Sequence, residues 1–213
     1  MSTILDLIGN TPLVEAQQLN KNKNVKLYFK LEGQNPGGSV KDRPAYNMIK
    51  SAIERGDIDK NTKLIEATSG NTGIAYAMIG SILGIPVELV IPDNASLERK
   101  KRILAHGASI HHTSAQDGYD EALREVRRKY AADPDKYFFC DQYGNPNNWT
   151  AHYETTGREI WEQTQGRVTH FVSGVGTGGT LTGVGRRLKE ENPNVEIHCV
   201  IPDAFPGVEG LKP

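Results

Sequence analysis

The sequence predicts an α/β protein with largely parallel, twisted sheets that carry helices on both faces. From residue 25 onward, short runs rich in β-branched and aromatic residues alternate with longer amphipathic runs. Several amphipathic runs end at a glycine, which is a common stop signal of a helix. Because neighbouring parallel strands need a crossover connection, this alternation predicts βαβ units and a parallel sheet between helices. Ligands of such sheets bind beyond the carboxyl ends of the strands.

The individual elements follow from hydrophobic periodicity and from local stop signals. Runs with strand composition predict seven strands, at 25–31, 63–67, 87–91, 108–112, 137–139, 168–173 and 195–201. Apolar residues at helical spacing predict six helices between them, at 44–55, 72–83, 97–106, 118–131, 150–163 and 179–190. Gly56, Gly84 and Gly107 directly follow three of these helices and mark their ends.

The composition favours chemistry on small molecules. The chain has 213 residues, with 25 Lys and Arg against 26 Asp and Glu, so no overall field favours nucleic acid or an anionic membrane. No apolar run is long enough to span a bilayer, and the N-terminus lacks the pattern of a secretory signal. Cys140 and Cys199 form no CxxC pair, which fits a reducing compartment. We expect a cytoplasmic protein without a nucleic-acid or membrane partner.

No metal site is predicted. His111 and His112 are adjacent in a predicted strand, so their side chains point to opposite faces of the sheet, and no third ligand recurs nearby. We interpret both as structural histidines.

Lys41 lies where a lysine that forms a Schiff base is expected. The preceding segment 35–38, Asn-Pro-Gly-Gly, does not continue a strand, because proline lacks a backbone donor and glycine favours turns. Asp42 is expected to cap the next helix, with Pro44 in its first turn. Lys41 would then project from a strand-to-helix corner towards a bound carbonyl compound. The alternative interpretation is a solvated lysine beside a helix cap.

A second loop, 67–73, joins a predicted strand to a helix start. Free N–H groups at the helix start and the hydroxyl groups of Thr68, Ser69 and Thr72 form a cradle for a carboxylate or phosphate. The alternative is that Ser69 or Asn71 simply caps the helix.

A third loop, 173–180, also follows a strand and opens a helix. Its density of glycine lets backbone amides approach a phosphate closely and directs the helix dipole at it. Gly174, Gly176 and Gly179 also satisfy G-x-G-x-x-G, with Asp203 a little over twenty residues further on. A nicotinamide dinucleotide site in an oxidoreductase is therefore a rival interpretation.

The three loops together suit pyridoxal phosphate better than a dinucleotide. The cofactor aldehyde would condense with Lys41, its phosphate would bind at 176–180, and an amino-acid carboxylate would bind at 68–72. The dinucleotide interpretation gives Lys41 and the loop at 68–72 no role.

Four segments, in this order, resemble the signatures of the cysteine synthase family, O-acetylserine sulfhydrylase. They are IGNTPLV at 8–14, GGSVKDR at 37–43, TSGNTG at 68–73 and GTGGT at 176–180. Residues 141–146 and 151–157 resemble the B type of that family more than the A type. The resemblance implies a fold-type II pyridoxal-phosphate enzyme, tryptophan synthase β-like, with two domains.

The resemblance also implies roles for individual residues. Lys41 would hold the cofactor and later remove the Cα proton of the substrate, and Asn71 would contact the 3′-oxygen of the cofactor. The cofactor phosphate would be bound by Gly176, Thr177, Gly178, Gly179 and Thr180. The substrate carboxylate would be bound by Thr68, Ser69, Gly70, Thr72 and Gln142.

By the same resemblance, residues 1–35 with 146–213 form the domain that binds the cofactor phosphate, and 36–145 form a mobile domain that binds the substrate carboxylate. The subunits would form a homodimer. The implied reaction replaces the β-substituent of O-acetyl-L-serine or O-phosphoserine by sulfide or another sulfur donor, giving L-cysteine. A cystathionine β-synthase-like replacement is an alternative.

Members of the family continue for roughly another third of their length, so the resemblance implies that a C-terminal part, with the partner of the pyridine nitrogen, is missing. We therefore expect apolar surface on the strands at 168–173 and 195–201 to be exposed. The 213-residue form is expected to bind the cofactor weakly and to make little cysteine. A non-catalytic remnant or binding module is the corresponding alternative.

Overall fold

The computed structural model describes residues 3–68, 70–203 and 211. The chain divides into two compact units, Met1–Arg43 with Trp149–Pro213, and Pro44–Asn148. The sequence-based boundaries were 35/36 and 145/146. The functional role and the mobility assigned to each domain stay predictions.

The unit Pro44–Asn148 is built on a four-stranded parallel sheet in the order β5-β4-β3-β6. Its strands are β3 (Lys63–Ala67), β4 (Val87–Pro92), β5 (Ser109–Thr113) and β6 (Tyr137–Phe139). The helices are α1 (Asp42–Arg55), which begins two residues before the unit boundary, α2 (Asn71–Leu83), α3 (Leu97–Ala105) and α4 (Gly118–Ala132). Strands and helices alternate along the chain, as the sequence predicts.

Helices cover both faces of this sheet. On one face, Ile65 and Val90 of the central strands pack against Ala122 and Val126 of α4. On the other face, α2 lies so close that a Cβ atom on Gly73 would be 3.0 Å from Leu89 and 3.4 Å from Ile103 of α3. Alternate residues of each strand therefore bury apolar side chains on opposite sides, as period-two geometry requires.

The other unit contains two small sheets. β1 (Leu13–Glu15) pairs antiparallel with β2 (Tyr28–Lys30), and β7 (His170–Gly174) pairs parallel with β8 (Glu196–Val200). The helices are α5 (Pro146–Ala151), which begins in the preceding unit, α6 (Arg158–Gln163) and α7 (Gly179–Glu191), with a π-helical segment at His152–Gly157. Short 3₁₀ turns span Ile4–Leu7 and Glu32–Gln34. Phe171 and Ile197 pack on one face of the β7–β8 pair against Val184 and Leu188 of α7.

Among the described residues, apolar side chains on the opposite, open face of β7 and β8 are exposed. Val172 is 58% exposed and Val200 is 52% exposed, and Ile201 just after β8 is 62% exposed. The expectation of exposed apolar surface on these strands is confirmed, whereas weak cofactor binding stays a prediction.

The helix expected at 150–163 is confirmed as helical, but it begins earlier, at Pro146, and it is not α-helical throughout. Its middle part, His152–Gly157, is a wider π-helical segment between α5 and α6. The Thr155 hydroxyl donates to the carbonyl of Ala151 at 2.6 Å, so it competes with a backbone donor for that acceptor. Helix α7 also packs closely against this segment at Gly183, where a Cβ atom would collide with the carbonyl oxygen of Trp149.

Strand β1 was missed and the strand expected at 25–31 is shorter than predicted, because a three-residue antiparallel pair carries little periodicity of its own.

Within the described residues, no helix combines the length and apolar character needed to cross a bilayer.

Candidate active site

The loop that carries Lys41 is closed by its own side chains. The backbone N–H of Gly37 donates to the Asp42 carboxylate at 2.5 Å, and the N–H of Lys41 donates to the Ser39 hydroxyl at 3.1 Å. A Cβ atom on Gly37 would collide with the Asp42 carboxylate, so this approach requires glycine. Helix α1 begins at Asp42, and the capping role of Asp42 stays a prediction. Its carboxylate binds the preceding loop because the turn at Gly37 brings that N–H within reach.

Lys41 has the properties of a nucleophilic amine. The residue is half-buried, and burial lowers its pKa. Within the described residues, no ion pair or hydrogen bond holds its amine. A desolvated amine without a counterion is less costly to deprotonate than a solvated one, so Lys41 is suited to condense with an aldehyde. The interpretation as a solvated surface lysine does not fit this environment.

Two residues after Lys41, the Arg43 guanidinium is buried among carboxylates. It binds Glu159 through two nitrogens at 2.6 and 2.8 Å and Glu32 through two nitrogens at 2.7 and 2.8 Å. Lys30 adds a second cation, with Nζ at 2.6 Å from Glu159. Two cations thus face two carboxylates, which balances the charge of a group taken out of water.

The pKa values in this network follow from the pairing. Burial alone would raise the pKa of Glu159, but hydrogen bonds from Arg43 and Lys30 bring it down to about 2. The pKa of Arg43 is raised because the hydrogen bonds that it donates to its carboxylate partners outweigh burial. Pairing thus favours the charged forms of Glu32, Glu159 and Arg43, whereas burial lowers the pKa of Lys30.

The same network explains the N-terminal motif at 8–14. The backbone N–H of Asn10 donates to Glu159 at 3.0 Å, and that of Gly9 donates to the Asn35 side chain at 2.9 Å. Gly9 has φ of +92° and Asn10 has φ of +47°, so the chain turns sharply against the carboxylate. The motif therefore anchors the segment that leads into the Lys41 loop.

The glycine-rich loop lies between β7 and α7. Helix α7 begins at Gly179, and its N-cap residue Gly178, with φ of +84°, has no side chain to cap the helix. The N–H of Gly179 reaches the Thr177 hydroxyl at 3.4 Å, at the weak limit of hydrogen-bond geometry. A 13-residue helix that starts with small residues and no capping side chain offers its N–H groups and dipole to an anion. The loop fits a phosphate group.

His152 connects this loop to the surroundings of Lys41. Its Nε2 lies 3.4 Å from the Thr180 hydroxyl and its Nδ1 lies 3.0 Å from the Thr156 hydroxyl. Burial lowers its pKa to about 3, and the charges of Arg43 and Lys41 contribute to the lowering. A neutral imidazole therefore lies beside Thr180 and within electrostatic range of Lys41. His152 was not among the predicted site residues, because an isolated histidine in a helical pattern carries no signal of a long-range contact.

The expected carboxylate cradle lies in the unit Pro44–Asn148. Thr68 is buried at the end of β3, and its hydroxyl accepts the N–H of Gly70 at 3.3 Å. Helix α2 begins at Asn71 with Gly70 as its N-cap and no side-chain cap, so capping by Asn71 is wrong. Ser69 lies outside the described residues. Asn71 is exposed, and its contact with the cofactor stays a prediction.

Thr72 and Gln142 meet directly. The Thr72 hydroxyl donates to the Gln142 side-chain oxygen at 3.1 Å, and both residues are buried. The backbone of Gln142 is held on two sides, because its N–H donates to Glu66 at 3.3 Å and its carbonyl accepts from Asn148 at 2.6 Å. The structure thus brings together two of the residues expected to bind the substrate carboxylate.

Glu66 is a buried acid behind this pair. Burial raises its pKa to about 8, against the lowering effect of the N–H groups of Ala67 and Gln142. The carboxyl group is therefore mostly protonated at neutral pH. An anion bound near Thr72 would meet no full negative charge from Glu66.

Comparisons with known proteins agree with these features. A family described as pyridoxal-phosphate dependent enzyme matches residues 4–212. A cysteine synthase of Aquifex aeolicus is 54% identical over 99% of this chain and 65% of its own length. Cysteine synthase B of Pseudomonas aeruginosa is 49% identical over 97% of this chain and 69% of its own.

A solved cysteine synthase of Entamoeba histolytica superposes with a TM-score of 0.95 at 38% identity, over 99% of this chain and 66% of that structure. The chain thus spans about two thirds of the length of the relatives it matches. Its architecture is that of fold-type II pyridoxal-phosphate enzymes.

The glycine-rich loop lies between a strand and a helix, as the dinucleotide motif requires. The family match nevertheless supports pyridoxal phosphate and not a dinucleotide as the cofactor. An unpaired amine at Lys41 and an uncapped helix start at 176–180 are the groups that an aldehyde and a phosphate need. The chain belongs to the pyridoxal-phosphate dependent enzyme family.

Proposed function

We propose that this chain carries the catalytic residues of a cysteine synthase, which makes L-cysteine from O-acetyl-L-serine or O-phosphoserine and sulfide or another sulfur donor. The observation that carries the proposal is the desolvated, unpaired amine of Lys41 in a chain with a separate phosphate loop and a separate hydroxyl cradle. The relatives named cysteine synthase support the choice of reaction.

Pyridoxal phosphate, when bound, supplies an electron sink that makes the Cα proton of an attached amino acid acidic. The amine of Lys41 would hold the cofactor aldehyde. Once released by the substrate, the same amine would accept the Cα proton and later return it. Its lowered pKa favours the neutral form that a base requires. Loss of the β-substituent and addition of sulfur would take place at the carbon next to Cα.

The phosphate of the cofactor would bind the N–H groups and hydroxyls of Gly176, Thr177, Gly178, Gly179 and Thr180. The neutral ring of His152 is an acceptor for the Thr180 hydroxyl or a donor to it, so it would fix the orientation of that hydroxyl. The rigid Arg43 network would keep the Lys41 loop in place without contacting the substrate itself.

The substrate carboxylate would bind at Thr68, Ser69, Gly70, Thr72 and Gln142. The Gln142 amide nitrogen is a donor, and the Thr72 hydroxyl would turn from the Gln142 oxygen to donate to the carboxylate. The N-terminus of α2 adds its dipole. The protonated state of Glu66 at neutral pH favours an anion beside these donors. Residues 36–145 would move as a domain when the carboxylate binds and would exclude water.

We also propose that the subunits form a homodimer in the cytoplasm and that the partners are small molecules. A cystathionine β-synthase-like reaction uses the same cradles, so the identity of the sulfur nucleophile separates the two activities.

The test is a cofactor titration followed by substrate. The 213-residue chain is mixed with pyridoxal phosphate and the visible absorption band is recorded before and after O-acetylserine is added. Sulfide or a larger thiol is then supplied, and the product is identified. A band that shifts with O-acetylserine, with cysteine as the product even at low yield, supports the proposal, and a product only with the larger thiol supports the cystathionine-type alternative. A protein that shows no band but binds NADH would contradict both.

A further inference from the structure

A histidine- and glutamate-lined patch lies on the open face of the β7–β8 pair. His170 pairs with Glu196 across the two strands, and His198 follows Glu196 on the same face two residues later. Side chains two residues apart on a strand point to the same side, so the register places all three together. The three residues are exposed.

The spacing of the three side chains matches that of metal ligands. Glu196 Oε2 lies 3.2 Å from His198 Nε2 and 3.7 Å from His170 Nε2. One ligand atom from each residue lies within 4.8 Å of the other two. Ligands at about 2.0–2.1 Å from a tetrahedral zinc ion are separated by roughly 3.3 Å. The two contacts of Glu196 are already close to this separation, and the two histidine nitrogens would move together by up to about 1.5 Å through rotation of their exposed side chains.

The orientation of the two rings is partly fixed in advance. Nδ1 of His170 lies 2.8 Å from the Thr169 hydroxyl, which leaves Nε2 directed at Glu196. The rings of His170 and His198 stack with centroids 5.6 Å apart and an angle of 8° between their planes. Metal-binding histidines typically have such a hydrogen bond on the second nitrogen.

Other histidine–carboxylate contacts in the described part of the chain involve one histidine and one acid each. His111 lies 3.5 Å from Glu125, and His112 lies 2.9 Å from Asp93. These pairs are ordinary ion pairs or hydrogen bonds and provide an internal comparison. The patch cannot be predicted from residues adjacent in the sequence, because β-sheet pairing assembles it from two distant segments.

We propose that His170, Glu196 and His198 bind a divalent ion of the zinc class, with water at the open fourth position. Two imidazoles and one carboxylate are a donor set that zinc accepts. The patch is at the start of β7, and the glycine-rich loop follows the end of this strand, about 13 Å away at 3.3 Å per residue. Metal binding is therefore separate from phosphate binding and independent of the proposed enzymatic activity.

The test uses the 213-residue chain with Zn²⁺ in calorimetry and with Co²⁺ in visible spectroscopy. We expect saturable binding of one ion and an intense cobalt spectrum of a tetrahedral site. His198→Ala and Glu196→Gln should each weaken zinc binding by roughly tenfold or more. Because these side chains are exposed, both variants should keep the circular dichroism spectrum and melting temperature of the metal-free protein.

Two variants serve as matched controls. His111→Ala removes one histidine of an isolated pair, and Cys199→Ser removes an exposed thiol next to the patch. Neither should change zinc affinity. The proposal is overturned if no saturable binding is seen, if His198→Ala and Glu196→Gln bind zinc as the parent does, or if Cys199→Ser abolishes binding.

Discussion

The Arg43 guanidinium and the Glu159 carboxylate form a two-pronged ion pair, with contacts of 2.6 and 2.8 Å, two residues from Lys41. The pair joins the start of helix α1 to helix α6, and it also receives the N-terminal motif through the N–H of Asn10. Burial makes such a pair costly to break, because the remaining charge loses its partner.

We therefore expect Glu159→Gln to lower the free energy of unfolding by about 2 kcal/mol or more, measured in urea. The matched control is Arg158→Gln at the neighbouring position, which breaks an exposed pair with Glu162 and should lower the free energy of unfolding much less. Equal losses of unfolding free energy in the two variants would show that the buried pair stabilises the fold no more than the exposed pair does.

The Glu159 carboxylate should also make the free energy of unfolding sensitive to acid. The folded pKa of Glu159 is lowered to about 2, so its contribution is complete above the unfolded value near 4.5 and is lost as the pH falls towards 2. Unfolding free energies measured from pH 6 to pH 3 should decline less steeply in Glu159→Gln than in the parent. Parallel declines would contradict the assignment.

Glu66 should make the free energy of unfolding fall as the pH rises, which is the opposite of the effect of Glu159. Its folded pKa is about 8 against an ordinary 4.5, so the folded state holds a proton that the unfolded chain has lost. The stabilising contribution is complete below pH 4.5 and is lost as the pH rises through 8, by on the order of 4 kcal/mol or less. Glu66→Gln, which cannot ionise, should flatten this decline in urea unfolding at pH 5 to 9. An unchanged slope would place the pKa of Glu66 near its ordinary value.

His152 should act on the phosphate and not on the aldehyde of the cofactor. His152→Phe fills the same space without a polar partner for Thr180 or Thr156. We expect affinity for pyridoxal phosphate to fall several-fold, with little change in affinity for pyridoxal, which lacks the phosphate. The two affinities come from titrations of the absorption band. A similar loss for both compounds would indicate that His152 supports only the fold.

A substitution at Thr72 should weaken the binding of O-acetylserine without weakening the binding of pyridoxal phosphate. Thr72→Val keeps the shape but removes the hydroxyl that donates to Gln142. We expect the response of the absorption band to O-acetylserine to weaken by roughly tenfold, as for the loss of a hydrogen bond to a charged group. Affinity for pyridoxal phosphate should stay within a factor of two of the parent. An equal loss of cofactor affinity would contradict the carboxylate role.

The sequence predicts those parts of the fold that rest on local periodicity. The strand Lys63–Ala67 and the helix from Gly179 are found where they were expected, because turn residues and glycines mark their ends. The π-helical segment at His152–Gly157 was not foreseen, since it depends on contact with α7 through Gly183. Local patterns carry no information about such close approaches.

In the candidate site, too, local sequence patterns can be predicted and long-range contacts cannot. Lys41 and the two loops were identified from their glycine, threonine and proline content, which is a local signal. Gln142 was identified only through resemblance, and Glu66 and the Arg43–Glu159 pair were not identified at all. Arg43 and Glu159 are 116 residues apart in the sequence, so only folding brings them together.

The central claim is that Lys41 is the lysine that holds the cofactor. Its matched control is Lys50, an exposed lysine on helix α1 that pairs with Glu54 at 3.8 Å. The 213-residue chain and its Lys41→Ala and Lys50→Ala variants are incubated with pyridoxal phosphate, reduced with borohydride and digested, and the modified peptide is identified by mass spectrometry. We expect one pyridoxyl group on Lys41 in the parent and in Lys50→Ala, and none in Lys41→Ala. A pyridoxyl group on another lysine of the parent, with Lys41 unmodified, would contradict the account.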